Sequence, residues 1–198
     1  MDPVGRVATP ADLDAIASCL TSAFFEDPVW GSWAFPDPLS RARPLQRLMR
    51  FWAQAAVGHS WVRISEHAET AAVWIPPGVP ELTVAEEASF EALVSEIFGA
   101  REAELGELFS LFEQHHPHDA PHYYLSLWGT HRDHVGRGLG TAVINNSLAR
   151  IDSERMPAYL ESTNPANLPR YEALGFSPCS TFGPAGGPVI TTMWRSPV

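Results

Sequence analysis

Apolar positions recur along this chain in two periods, and each period predicts its own element. Leu13, Ile16, Ala17, Leu20, Ala23 and Phe24 fall at helical spacing behind Thr9 or Asp12, either of which can cap a helix. Leu45, Leu48, Met49, Trp52 and Ala56 mark one side of a second helix over residues 40–58. Phe90, Leu93, Val94, Ile97 and Phe98, then Leu105, Leu108, Phe109 and Phe112, predict two amphipathic helices with polar outer faces. A further helix is expected over 136–152, with Ile144, Leu148 and Ile151 inward, and a short one over 168–174 closed by Gly175. Branched and aromatic runs predict strands at 4–8, 61–65, 70–75, 122–129, 158–162, 176–182 and 188–195. Between them, residues 25–38 are aromatic and turn-rich, and Pro28, Gly31, Pro36 and Pro38 predict an irregular loop. The resulting order, β-α-α-β-β-α-α-β-α-β-α-β-β, predicts a mixed α/β fold that combines hairpins with a βαβ crossover.

A length of 198 residues with 45% hydrophobic and 18% charged positions favours one core, so residues 1–198 are expected to form a single domain. No apolar run is long enough for a membrane span, and residues 1–10 lack a charged-then-apolar leader pattern. The two cysteines, Cys19 and Cys179, cannot make a disulfide framework. A soluble cytoplasmic protein, a monomer or homodimer, is expected by default.

Charge narrows the chemistry. The net charge of −10 argues against a generic nucleic-acid binder. Its 13 basic residues are all arginine, so Schiff-base, P-loop and kinase chemistry that needs a lysine is excluded. Residues 81–119 hold ten acids against one base, Arg101, a net −9, while the rest of the chain is close to neutral. The short segment 131-HRDHVGR-137 is basic by contrast. That distribution suits a small anionic cofactor at the basic loop and a cationic co-substrate elsewhere; a solvated acidic helix face would give the same acidic stretch.

The stretch 135-VGRGLGT-141 follows a strong strand and opens a helix. Gly136, Gly138 and Gly140 leave backbone N–H groups bare at a helix N-terminus, a place suited to phosphate, and Arg132 and Arg137 can add charge-assisted contacts. A plain glycine-rich cap is the bland alternative. A dinucleotide site fits less well: Thr141 stands where a third glycine of G-x-G-x-x-G belongs, and too little chain follows to complete that sheet. Downstream, 164-NPANLPRYEALGF-176 reads as a short helix that Asn167 and Pro169 can start, carrying Tyr171 and ending at Gly175 before a strand.

Taken together, the strand, the R-G-L-G-T loop and the N-L-P-R-Y-E-A-L-G-F run resemble the GNAT superfamily of acetyl-CoA-dependent N-acetyltransferases. V-A-T-P-A-D-L, A-F-F-E-D-P and L-E-S-T bring the likeness closer to the puromycin N-acetyltransferase-like branch. The resemblance implies the acyl-CoA N-acyltransferase fold, with a helical insertion at about 78–120 before the central strand. It implies acetyl-CoA as co-substrate. The backbone of Trp128, Gly129 and Thr130 would pair with the pantetheine arm, amides of Gly136, Arg137, Gly138, Gly140 and Thr141 would hold the pyrophosphate, and Asn167 would contact the arm. One departure stands out: the family usually has Gln or Arg three residues before Gly138, where this chain has Val135.

Acetyl transfer to an amine needs a neutral amine, a donor to the developing oxyanion, and an acid for the thiolate. The Trp128 N–H is the expected oxyanion donor and Tyr171 the expected acid. The family's usual glutamate position is Tyr124, so Glu161 is the first candidate base and His122 the second; water chains are a further route. Glu26 and Asp27 could bind a cationic acceptor, and Trp30, Trp33, Phe35 and Trp128 could stack on it in a pocket between residues 25–35 and 82–112. His115, His116, His118, His122 and Asp119 make a poor zinc set, and no metal is expected. Direct attack in a ternary complex on a small molecule, such as an antibiotic or other natural product, is preferred over a cysteine-bound intermediate. The rival reading is an acyl-CoA-binding sensor of weak catalytic power.

Overall fold

The computed structural model describes residues 5–197; Val4, at the start of the first expected strand, lies outside them. Seven strands form one sheet in the order β1-β2-β3-β4-β5-β7-β6. They are β1 (Arg6–Val7), β2 (Val62–Ile64), β3 (Thr70–Ile75), β4 (Tyr123–Thr130), β5 (Ala158–Ser162), β6 (Ser177–Phe182) and β7 (Ile190–Arg195). All neighbours run antiparallel except β4 and β5, which are joined through a crossover helix as parallel strands require. The helices are α1 (Leu13–Phe24), α2 (Ala42–Val57), α3 (Val84–Phe98), α4 (Glu102–His115), α5 (Leu139–Ser153) and α6 (Leu168–Glu172). The mixed α/β fold and its element order are those read from the sequence.

Each face of the sheet buries one apolar cluster. Ile16, Leu20, Leu45, Leu48, Leu105 and Leu108 pack from α1, α2 and α4 against Val73 and Leu127. Val143, Ile144, Leu148 and Ile151 of α5 pack on the other face against Trp74, Leu125 and Leu160. Helix α3 is fixed at its start by a reciprocal cap, in which Thr83 and Glu86 each satisfy the other's backbone. No helix of the described residues is long and apolar enough to cross a membrane.

Two local features differ from the sequence reading, and both border the site. First, residues 28–33 are not irregular but form one wide helical turn, Pro28–Trp33. Proline is tolerated in a first helical turn, and Asp27 caps this one by accepting from the N–H groups of Val29 and Trp30, each at 2.9 Å. Gly31 is obligatory there, because a Cβ would lie 2.3 Å from the Phe25 carbonyl oxygen. Second, the β3–β4 register slips between Val73 and Trp74, which face Leu127 and Leu125 and leave Ser126 as an extra residue. Before this bulge Tyr123 and Leu125 face the α5 side; after it Leu127 faces the α1–α2 side and Trp128 the α5 side. One extra residue thus reverses the alternation in the middle of the central strand.

Candidate active site

The cleft begins where β4 and β5 part. They pair only at Tyr123↔Ala158 and Tyr124↔Tyr159, so β4 from Leu125 to Thr130 has no β5 partner. An extended arm can add to such a free strand edge. At the end of β4 the chain turns through Arg132–His134 and enters the glycine loop. Gly136 and Gly138 hold φ of +83° and +77°, a left-handed region open to glycine at little cost. This turns the chain so that α5 starts at Leu139 with its first amides free. Arg137 lies over the loop, donating to the Asp133 carbonyl at 3.0 Å. Arg132 is held back by Ser22 and by the Phe25 ring.

Arg170 was not singled out in the sequence. Its guanidinium stands 3.7 Å from the centre of the Trp128 ring. A Cβ added to Gly140 would fall 2.7 Å from Arg170 Nη2 and from Thr130 Oγ1, so this cation sits beside the start of α5. Arg170 has no carboxylate partner among the described residues. An unpaired cation at the positive end of a helix is an unfavourable arrangement that an anion between them would reverse. The free amides, the left-handed glycines, the open β4 edge and Arg170 therefore fit the diphosphate and arm of a coenzyme A thioester.

The other half of the site is a cavity of about 1070 Å³. Its walls come from the Pro28–Trp33 turn, the end of β3, helices α3 and α4, and the β4 bulge. Phe24, Trp30, Trp52, Phe90, Phe109 and Phe112 supply the aromatic surface, and Trp30 stacks on both Phe109 and Phe112 with centroids 5.8 and 5.6 Å apart. Trp33 and Phe35 are not part of it; Phe35 packs on Phe98 at 4.9 Å, and Trp33 lies under Arg101. Glu26, Asp27, Glu81, Glu87, Glu113 and Glu161 line the cavity, and no arginine does. Asp27 is buried with both oxygens engaged: one accepts from Val29 and Trp30, the other from Thr163 at 2.8 Å. Glu26 is largely exposed and stands 3.6 Å from Arg41.

Where the two halves meet, Tyr171 and Trp128 lie 5.7 Å apart, ring to ring. Burial pushes the Tyr171 phenol up to about 12, against the opposing pull of Arg170, so it stays protonated at neutral pH. Asn164, not Asn167, provides the cap in this region, accepting from the Ala166 N–H at 3.0 Å. The amide of Asn167 is therefore left for the cavity it lines.

The acid–base groups cluster around β4, β5 and the chain that follows α4. The Glu161 side chain is 2% exposed and stands 3.5 Å from His116 Nδ1. Burial first, and then the charges of Glu161 and Glu81, raise the Tyr124 phenol well above its ordinary value, so it makes no base. Burial lowers His122, and its Nδ1–H meets the Ala120 carbonyl at 2.8 Å. That tautomer turns the lone pair of Nε2 toward His116 Nε2, 3.2 Å away. Glu81, like Arg170, is a residue that sequence reasoning missed. It sits in the proline-rich link between β3 and α3 and accepts a hydrogen bond from Ser126 Oγ at 2.6 Å. Loss of solvent is the largest of the effects that push its carboxyl up to about 7; Glu161 adds to it, and Ser126 and His116 oppose it. In the sequence Glu81 is one acid among ten in residues 81–119, with nothing to mark it.

Comparison with known proteins settles the family. A model described as "Acetyltransferase (GNAT) family" matches residues 32–176, most of the chain. The chain belongs to the GNAT acetyltransferase family. A solved structure from Corynebacterium glutamicum, titled histone acetyltransferase HPA2 and related acetyltransferase, is 25% identical, with 100% of this chain and 98% of that one covered and a TM-score of 0.70. A polyamine N-acetyltransferase from Drosophila melanogaster, which forms N-acetylagmatine, is 14% identical over 98% and 99% of the chains, with a TM-score of 0.63. The NatC complex bound to Gag peptide and CoA matches at 11% identity over 100% of both, with a TM-score of 0.56.

The match establishes the GNAT family, not the puromycin-like branch within it. Neither cysteine lines the cavity: Cys19 is buried, with its thiol pushed up to about 12 by desolvation, and Cys179 is exposed on β6. Among the described residues, no group of three or more His, Cys, Asp or Glu side chains is placed to hold a metal ion.

Proposed function

We propose that this GNAT protein moves the acetyl group of acetyl-CoA to the amine of a small cationic molecule, by direct attack with both substrates bound. The observation that carries this reading is the cavity. It is lined by six carboxylates and no arginine, has aromatic walls, and opens onto the unpaired edge of β4. Such walls favour an amine on an aromatic or apolar body over an anionic or neutral polar molecule.

Acetyl-CoA supplies the activated acetyl group. The amides at Gly136, Arg137, Gly138, Gly140 and Thr141 hold the diphosphate, with Arg170 and Arg137 adding charge. The freed backbone at Trp128, Gly129 and Thr130 pairs with the arm, and Asn167 contacts it. The Trp128 N–H donates to the acetyl oxygen as negative charge grows there. Tyr171, protonated at neutral pH, donates its hydroxyl hydrogen toward the departing sulfur. Trp30 stacks on the acceptor body, and Glu26, Asp27 and Tyr124 border its path. The whole chain acts as one domain, in the cytoplasm, as a monomer or homodimer.

The test is a thermal-shift titration with acetyl-CoA, followed by turnover on a panel of aromatic amines, diamines and polyamines. Binding with acetylation of at least one cationic amine is expected. Tight acetyl-CoA binding with no turnover on any amine would favour an acyl-CoA sensor instead.

A further inference from the structure

The acetyl-transfer reading needs a group that removes a proton from the ammonium of the acceptor. Glu161 is engaged by Tyr124 and Tyr159 and stands beside His116, and the free nitrogen of His122 faces His116. Glu81 differs from both. All three line the cavity, but the one hydrogen bond of Glu81 among the described residues comes from Ser126, on the strand that carries Trp128. Ser126 is the extra residue of the β4 bulge, two positions before Trp128. Two residues of strand span about 7 Å. A carboxylate beside Ser126 is thus within direct or one-water reach of an amine that approaches an acetyl group held at Trp128.

We propose that Glu81 is the general base of this transferase, taking a proton from the acceptor ammonium either directly or through one water. What makes this possible is that Ser126 lines the cavity within the one strand that carries the oxyanion donor. The step balances as follows. Glu81 takes one proton from R–NH3⁺; the neutral nitrogen forms the C–N bond as the C–S bond breaks. The sulfur takes the Tyr171 proton, and the protonated amide returns one to Tyr171. Glu81 then releases its proton to water, giving R–NH–acetyl, the free thiol and one H⁺.

The groups that face Glu81 give this assignment a signature that a purely structural role would lack. Glu161 on β5 and Glu113 on α4 raise its carboxyl, whereas Ser126 on β4 and His116 beyond α4 lower it. Tyr124 on β4 stays neutral next to it. The carboxylate form is the active one. With the carboxyl pushed up to about 7, log kcat/KM should rise with pH and level off above that value in the wild type. Ser126→Ala should move that limb to higher pH and Glu161→Gln to lower pH.

The assignment rests on the acetyl-transfer reading, and the experiment separates the two. The best amine of the panel is used for pH profiles of the wild type, Glu81→Gln, Glu81→Asp, Ser126→Ala and Glu161→Gln. Acetyl-CoA thermal shifts are read on each, and the Glu81 carboxyl is followed by ¹³C NMR titration of the free protein. Expected for Glu81→Gln are an unchanged acetyl-CoA shift, a fall in kcat of about 100-fold or more, and loss of the limb, with partial return in Glu81→Asp. The NMR midpoint should coincide with the kinetic limb. The assignment is overturned if Glu81→Gln keeps kcat and the limb, or raises only the KM for the amine, which would make Glu81 a cation-binding residue. It is also overturned if the two flanking variants shift the limb in the same direction. A wild type that binds acetyl-CoA and acetylates nothing would overturn the proposed function first, and this assignment with it.

Discussion

The proposed coenzyme side and the proposed acceptor side of the cleft are built on different principles. The coenzyme side is mostly main chain: left-handed glycines, the free amides of α5, and a strand edge left bare by the parting of β4 and β5. Its parts lie within a short run of sequence. The acceptor side is mostly side chains gathered from far apart, with Glu81 meeting Ser126 and Asp27 meeting Thr163 across the fold. Backbone amides recognise phosphate whatever the side chains are, so one half can serve a common ligand. The other half can change its acceptor by exchanging side chains on a fixed frame.

The largest expected effect would break the coenzyme half alone. Gly138→Val puts a β-branched residue at φ +77° and covers the adjacent amides. Loss of two charge-assisted hydrogen bonds would weaken acetyl-CoA binding by about 100-fold, measured by calorimetry, while the acceptor cavity stays intact. Tyr171→Phe should separate chemistry from binding, with kcat lower by about 100-fold and an unchanged dissociation constant for acetyl-CoA. An unaltered kcat would remove Tyr171 from the mechanism. Arg170→Gln should weaken acetyl-CoA by about tenfold, the worth of one charged contact, and should flatten the salt dependence of binding; an unchanged affinity would make this side chain a mere cover for Trp128.

The smallest effect is a control outside both halves. Asp12 is hydrogen-bonded by Arg6 and by Thr9, and these bonds hold its carboxyl well below the usual carboxylate range. A depressed folded value means that the stabilisation is fully present above the ordinary value near 4 and is lost as pH falls through the folded value. Since Arg6 is 39% exposed on its side chain, Asp12→Asn should cost only about 0.5–1 kcal/mol at neutral pH. That difference should shrink in strong acid, by urea unfolding, and neither half of the cleft should respond.

The glycine loop and the helix it opens were legible because they are local. The glycines, the helix they open and the N-L-P-R-Y run stand in order along the chain, and the fold class followed from the periodicity of apolar positions. The acceptor half was not. Trp30 lines the cavity, but Trp33 and Phe35 belong to the same aromatic loop and lie elsewhere. Residues 28–33 looked irregular because proline and glycine are read as breakers, although proline in the first turn and a glycine at a tight crossing are compatible with a helical turn.

By itself, the sequence determined the elements, their order and the bare-amide loop, since each depends on neighbours within a few residues. Tertiary structure alone decided which carboxylates line the cavity and which of them meets Ser126. The run 123-YYLSLWG-129 is apolar on both sides of Ser126, so no alternation betrays the bulge that reverses its faces. Register between β3 and β4 is a property of two strands more than 40 residues apart. The same distance separates Glu81 from Ser126. Contacts of that kind arise only when the whole sheet closes, and they fix where charge is desolvated and where it is not.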